Sequence, residues 1–222
     1  MNVFFKPWVN SQLYNVGLKN LKILVVGASH YCKKSECQYF TQCTSRTVKD
    51  SSPYDTLCPH CDTKLSDSTI EAVRYFVGGD TNVSYSNFSD FMIETMGLAS
   101  NRKALWDHIA FMNYVQYMLG SEDDIYTAAS DIQDRDYAAF QEIVSQLSPD
   151  LIIAWGKAGE DIKHHRVCGR TIDGADANYI FDVDINDHLY RVIHCYHPCD
   201  LFGWFSNDIE KFSNQLSLLL SK

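Results

Sequence analysis

Lys22-Ile23-Leu24-Val25-Val26-Gly27 runs directly into Ala28-Ser29-His30-Tyr31. A β-branched run closed by glycine reads as a buried strand, too short and too β-rich for a helix. Three more runs of this kind follow, at residues 109–113 (IAFMN), 151–156 (LIIAWG) and 190–196 (YRVIHCY). Between them lie helical patterns: 67 or 68 to about 77, stopped by Gly78-Gly79; 88–96, ending at Gly97; 134–147, closed by Pro149; and a helix from about Lys157. Residues 206–220 predict a terminal amphipathic helix, and residues 1–20 a leading helix or arm. Continuous apolar strands alternating with helices predict a parallel sheet covered on both faces. The expected fold class is therefore α/β, a three-layer α/β/α sandwich around a central four-stranded, mostly parallel sheet.

The chain has 222 residues, which suits one domain spanning 1–222 with an insertion. That insertion is the irregular stretch at about 32–66, rich in Cys, Ser, Thr and Asp, and a loop of such length inside a domain is expected to be functional. No run approaches the roughly 20 apolar residues of a membrane span, so no membrane partner is expected. The first 16 residues lack a long apolar run and a small-residue cleavage site, and a cytoplasmic protein is expected. The formal charge of −9, from 19 basic and 28 acidic residues, argues against sequence-independent binding along a nucleic-acid backbone. It leaves room for a basic rim around a single nucleotide.

In open parallel sheets ligands sit beyond the carboxyl ends of the strands. The polar residues there are Ser29-His30-Tyr31, Asn113, Lys157 and His197. Each has a plain structural alternative: Asn113 as a helix cap, His197 as a turn histidine before Pro198, Tyr31 as core. Their shared position at strand ends is what singles them out. His164 and His165 read as surface residues, His108 and His188 have no partner visible in sequence, and His194 reads as structural.

The order of these motifs resembles the uracil-DNA glycosylase superfamily. Gly27-Ala28-Ser29-His30-Tyr31 is followed by Phe40-Thr41, then by Ala110-Phe111-Met112-Asn113, then by the apolar strand 151–156 ending in Trp-Gly. Last comes His197-Pro198-Cys199-Asp200-Leu201, similar to the family's His-Pro-Ser-Pro-Leu loop. The likeness covers about residues 20–220, and its first motif is similar to that of an uncharacterised bacterial branch with Gly-x-Ser-His-Tyr. The resemblance implies a DNA glycosylase-like protein that hydrolyses the N-glycosidic bond of uracil or another damaged base, reached by flipping the nucleotide into a pocket. Its partner would be single- or double-stranded DNA, or a free nucleobase or nucleotide. His197 would stabilise the departing base. Asn113 would pair with the base edge, Phe40 would stack on its face, and Tyr31, Gly27 and Ala28 would wall the pocket. Leu201 would be the DNA wedge.

Two departures stand out. Ser29 takes the place of the aspartate that orients the attacking water in the best-known members, so His30 or Ser29 is expected to assist the water. Asp200 puts a negative charge beside the wedge. Both departures suit an alternative, a non-catalytic nucleobase-, nucleotide- or modified-DNA-binding protein that keeps the pocket. Hydrolysis of a small nucleoside is a third reading, distinguished by its insensitivity to salt.

Five of the eight cysteines fall between Cys32 and Cys61. Cys58-Pro59-His60-Cys61 is a C-x-x-C knuckle, whose thiolates can share one tetrahedral ion. Upstream, Cys32, Cys37 and Cys43 offer partners, and the spacing does not choose between them. The expected set is Cys37, Cys43, Cys58 and Cys61 around a structural zinc, with Cys32 left at the pocket. The other readings are free cytosolic thiols and an iron–sulfur cluster, which some glycosylase branches carry through differently spaced cysteines. Cys168 and Cys195 are expected to be buried thiols.

Overall fold

The computed structural model describes residues 2–32, 40–44, 57–58, 63–98, 101–120, 127–169, 172–199, 204 and 209–220. Its central sheet has six strands, in the order β5-β1-β7-β10-β9-β8. β1 is Ile23–Gly27, β5 Ile109–Asn113, β7 Leu151–Trp155, β8 Arg166–Val167, β9 Ile180–Ile185 and β10 His188–Cys195. The first four in that order are mutually parallel. They are the four strands that the sequence predicts, with β1 inside the sheet between β5 and β7.

The expected four-stranded sheet is corrected to six by β9 and β8, both antiparallel. β9 joins β10 through Asn186-Asp187, both in the left-handed region at φ 55° and 61°. Two such residues make the tight turn whose twist matches a hairpin, and Asn and Asp tolerate it best. Acidic residues hide β9 in the sequence. Asp182 is buried within it, and it is neutralised by Arg191, its register partner across the hairpin.

Strand alternation sends side chains to opposite faces. Ile23, Val25, Ile109, Phe111, Ile153, Trp155 and Ile193 enter a cluster with side chains from helices Ser68–Gly78, Val83–Thr95, Arg102–His108 and Ile209–Leu220. Leu24, Val26, Ala110, Met112, Ile152, Ala154 and Val192 pack on the other face with helices Asp134–Leu147 and Gly156–His164 and with Tyr14 of helix Ser11–Val16. Helices thus cover both faces. The helix expected at 88–96 begins earlier, at Val83, because Asn82 caps it by accepting the Tyr85 N–H at 3.0 Å. No helix among the described residues is long and apolar enough to cross a membrane.

Beyond the carboxyl ends, the chain after β1 forms β2 (His30–Cys32), which pairs in parallel with β6 (Met118–Gly120). The insertion expected at about 32–66 also holds helix Phe40–Cys43 and a small antiparallel pair, β3 (Leu57–Cys58) with β4 (Thr63–Lys64). Most of the remainder of that insertion lies outside the described residues.

Candidate functional site

Because β5, β1, β7 and β10 are parallel, Asn113, Gly27, Trp155 and Cys195 end on one edge of the sheet. Gly27 and Asn113 are direct register partners. The pairing continues past the strands, with the Tyr114 N–H donating to the Gly27 carbonyl and the Val115 N–H to that of Ala28, both at 2.9 Å. This holds the first motif and the asparagine in fixed relation.

His30, from β2, reaches back over this pair. Its Nε2 lies 2.8 Å from Asn113 Nδ2 and 2.8 Å from Thr69 Oγ1, in the first turn of helix Ser68–Gly78. Phe5 stands edge-on to the imidazole with centroids 4.8 Å apart. Burial disfavours the imidazolium and lowers the His30 pKa to about 4, so the ring is neutral near pH 7. The oxygen of the Asn113 amide faces Gly27, where an added Cβ would stand 2.8 Å from Asn113 Oδ1 and 2.6 Å from Phe111 Cζ. Only glycine leaves the amide that space.

Ser29 and Tyr31 flank His30 and point to a different partner. Ser29 Oγ is 2.6 Å from Thr127 Oγ1, and Tyr31 Oη is 3.0 Å from the same atom. Thr127 is buried, so three hydroxyls share one enclosed spot. Burial raises the Tyr31 pKa, against the pull of the Ser29 and Thr127 hydrogen bonds, and Asp131 and Cys199 push it further up.

His197 opens the loop after β10. It stands edge-on to Trp155 at 5.7 Å, and Gly156, at φ +49°, lets it close in, since a Cβ there would lie 3.2 Å from His197 Cβ. Burial lowers its pKa to about 4, so it too is neutral. Its Nδ1 is buried with no hydrogen-bond partner among the described residues. Asn87 holds the next residue, donating to the Pro198 carbonyl at 3.1 Å.

The remaining expected residues are placed as follows. The Phe40 ring lies against Gly120 at the end of β6, a position reserved by the missing Cβ of that glycine. Lys157 turns to Glu160 at 2.6 Å on the exposed side of its helix. Leu201 lies outside the described residues, as do Cys37 and Cys61, and only the backbone of Cys58 is described. Cys43 and Cys32 pack against one cluster of Phe4, Phe5, Leu65 and Met118. Among the described residues no group of three or more His, Cys, Asp or Glu is arranged to hold a metal ion. Cys195 is buried as expected, but Cys168 is exposed, since it follows the two-residue edge strand β8. His194 is structural, its Nε2 3.1 Å from the Gly156 carbonyl.

Three partners of the site carry no motif. Thr69 and Thr127 meet the site from elsewhere in the chain, and Gln116 from just beyond Asn113. Gln116 is fully buried, accepts the Phe4 and Phe5 N–H groups through Oε1, and donates through Nε2 to the carbonyl of Asn113. It thereby ties the amino-terminal arm to the end of β5.

No family model matches the chain, and a search of curated proteins returned no match.

Proposed function

We propose that the carboxyl edge of the four parallel strands is a nucleobase pocket. The chain would be a cytoplasmic, glycosylase-like α/β/α sandwich that hydrolyses the N-glycosidic bond of uracil or another damaged base in DNA. The observation that carries this reading is His197 Nδ1, a buried ring nitrogen with no partner among the described residues at the edge that presents Asn113. A buried polar atom left unpaired costs about 1–3 kcal/mol, and the oxygen of a bound base would satisfy it. When the glycosidic bond breaks, its electron pair leaves with the base, and negative charge grows on the base oxygens. A neutral imidazole carrying its proton on Nδ1 would meet that charge without first losing a proton of its own. Water would then add to the sugar carbon and give up its proton, which neutralises the departing base anion.

The test is alkaline scission of labelled oligonucleotides, single- and double-stranded, carrying uracil, hypoxanthine, xanthine or oxidised pyrimidines. Asn113→Ala and His197→Ala should each lower single-turnover excision about a hundredfold. Excision that survives both substitutions would sink the assignment.

A second reading is a non-catalytic nucleobase- or nucleotide-binding protein. It is favoured by the state of the two groups available to take a proton from water. Ser29 is engaged with Thr127, and His30 is weakly basic with Nε2 facing Asn113 and Thr69. Under this reading the folded protein leaves every oligonucleotide intact yet binds free base or nucleotide, and Asn113→Ala abolishes that binding.

A structural zinc held by Cys37, Cys43, Cys58 and Cys61 belongs to the same proposal. It would order a segment with few apolar residues of its own. Metal analysis of the purified chain should give one zinc per chain, lost on Cys58→Ser; absence of metal from the folded protein would remove zinc from the account.

A further inference from the structure

We infer that His30 is a positioning residue that locks the amide of Asn113 in one orientation, so that the pocket accepts a lactam edge and rejects an amidine edge. This rests on the reading of the edge as a nucleobase pocket. The geometry that carries it is the Asn113 Nδ2 to His30 Nε2 distance of 2.8 Å, with Asn113 Oδ1 turned toward Gly27.

An amide nitrogen only donates, so the imidazole nitrogen facing it must offer its lone pair. Nε2 is therefore unprotonated, and the ring proton sits on Nδ1. The fully buried Thr69 hydroxyl, 2.8 Å from the same nitrogen, fits this tautomer as a second donor sharing the one lone pair. Turning the Asn113 amide over would set Oδ1 against the Nε2 lone pair, two acceptors at hydrogen-bond distance. His30 stands between the two motifs it links, with Phe5 edge-on to its ring.

With the Nδ2 hydrogen trans to Oδ1 given to His30, the hydrogen cis to Oδ1 and Oδ1 itself would form the face that reads a ligand. In the locked orientation that face presents an acceptor and a donor in a set order. Uracil, hypoxanthine and xanthine each offer the complement, a ring N–H beside a carbonyl oxygen. Cytosine and adenine offer the reverse, a bare ring nitrogen beside an amino group, and would need the amide turned over. His30 would thus separate deaminated bases from their parents without touching the base. It would do so as a neutral acceptor, which gives the histidine a task other than activating water.

The experiment has two arms. In the first, single-turnover excision is measured on single-stranded oligonucleotides with uracil or cytosine at one position. The wild type should prefer uracil, and His30→Phe, which keeps a ring against Phe5 but offers no acceptor, should lower the uracil-to-cytosine ratio at least tenfold. His30→Gln, whose Oε1 can accept the Asn113 N–H, should restore most of it. In the second arm, the ring nitrogens of ¹⁵N-labelled wild-type protein without ligand should report an unprotonated Nε2 and a protonated Nδ1 at pH 7.

A ratio unchanged within twofold in a folded His30→Phe protein, or a proton found on Nε2, overturns the inference while leaving the pocket reading intact. A wild type that acts on no base and binds neither uracil nor cytosine overturns both.

Discussion

Gln116→Ala is expected to lower the stability of the protein by about 4 kcal/mol, the sum of several unpaired buried groups and a small cavity. Gln116 is fully buried, and each end of its amide serves two backbone groups. Oε1 accepts the Phe4 and Phe5 N–H groups at 2.8 and 3.0 Å, and Nε2 donates to the carbonyls of Asn113 and Tyr114 at 2.8 and 3.3 Å. Its backbone is held as well, with its N–H on Asp136 Oδ1 at 2.9 Å and its carbonyl accepting from Arg135 at 2.6 Å. Alanine keeps those backbone bonds and strands the other four groups away from water.

Urea unfolding read by tryptophan fluorescence measures the loss. Gln116→Met separates its causes, because methionine fills nearly the same volume and makes none of the hydrogen bonds. Methionine should therefore fall close to alanine. A methionine variant as stable as the wild type would show that volume, rather than hydrogen bonding, anchors the arm. The consequence reaches the site, since Phe5 packs on His30 and the Asn113 carbonyl is one of the groups released.

The parts of this architecture legible in the sequence are those fixed by local pattern. β1, β5 and β7 are buried on both faces, which demands an unbroken apolar run that can be read directly, and β10 shows the shorter buried run around Val192 and Ile193. β9 escapes because Asp182 interrupts its run, and that buried aspartate is paired by Arg191 on the next strand. Helix Arg102–His108 is too short to declare a period, and its cap, Asn101, is visible only once Ala104 is seen to donate to it.

The site divides in the same way. Ser29, His30, Asn113 and His197 stand at strand ends, where spacing alone brings them to one edge. What they bond to does not follow from spacing. Thr69 is 39 residues from His30, and Thr127 is 98 residues from Ser29. Neither carries a motif, because a threonine hydroxyl is a common group and only the fold makes it a partner. The role of His30 changes accordingly: its pKa range suggests a base, while its placement against an amide nitrogen makes it an acceptor.

Acid should destabilise the protein well before ordinary carboxylates titrate, by about 3 kcal/mol between pH 7 and pH 4. His30 and His197 each fall to about 4 in the folded state from an ordinary value of 6.5, through burial of the ring. Between those values the unfolded chain binds protons at both positions and the folded chain does not. Stability from both histidines is therefore complete above pH 6.5 and drains away as pH falls toward 4.

Asp136 works in the opposite sense. Burial raises its carboxyl to about 6 from 3.8, against the backbone N–H groups of Gln133 and Gln116 and the charge of Arg135. The folded state thus holds the extra proton between those values, and Asp136 restores some stability as pH falls through 6. Two histidines outweigh one carboxyl of similar displacement, which leaves a net loss. Urea midpoints at pH 7, 6, 5 and 4 measure it, and His197→Phe should flatten the profile by roughly half of the histidine contribution, about 2–2.5 kcal/mol at pH 4.5. Midpoints that hold steady or rise on acidification would refute the neutral state of the two rings. The same protonation has a local meaning at the site: a proton arriving at His30 Nε2 would face the N–H of Asn113, so the contact that orients the amide fails as the fold weakens.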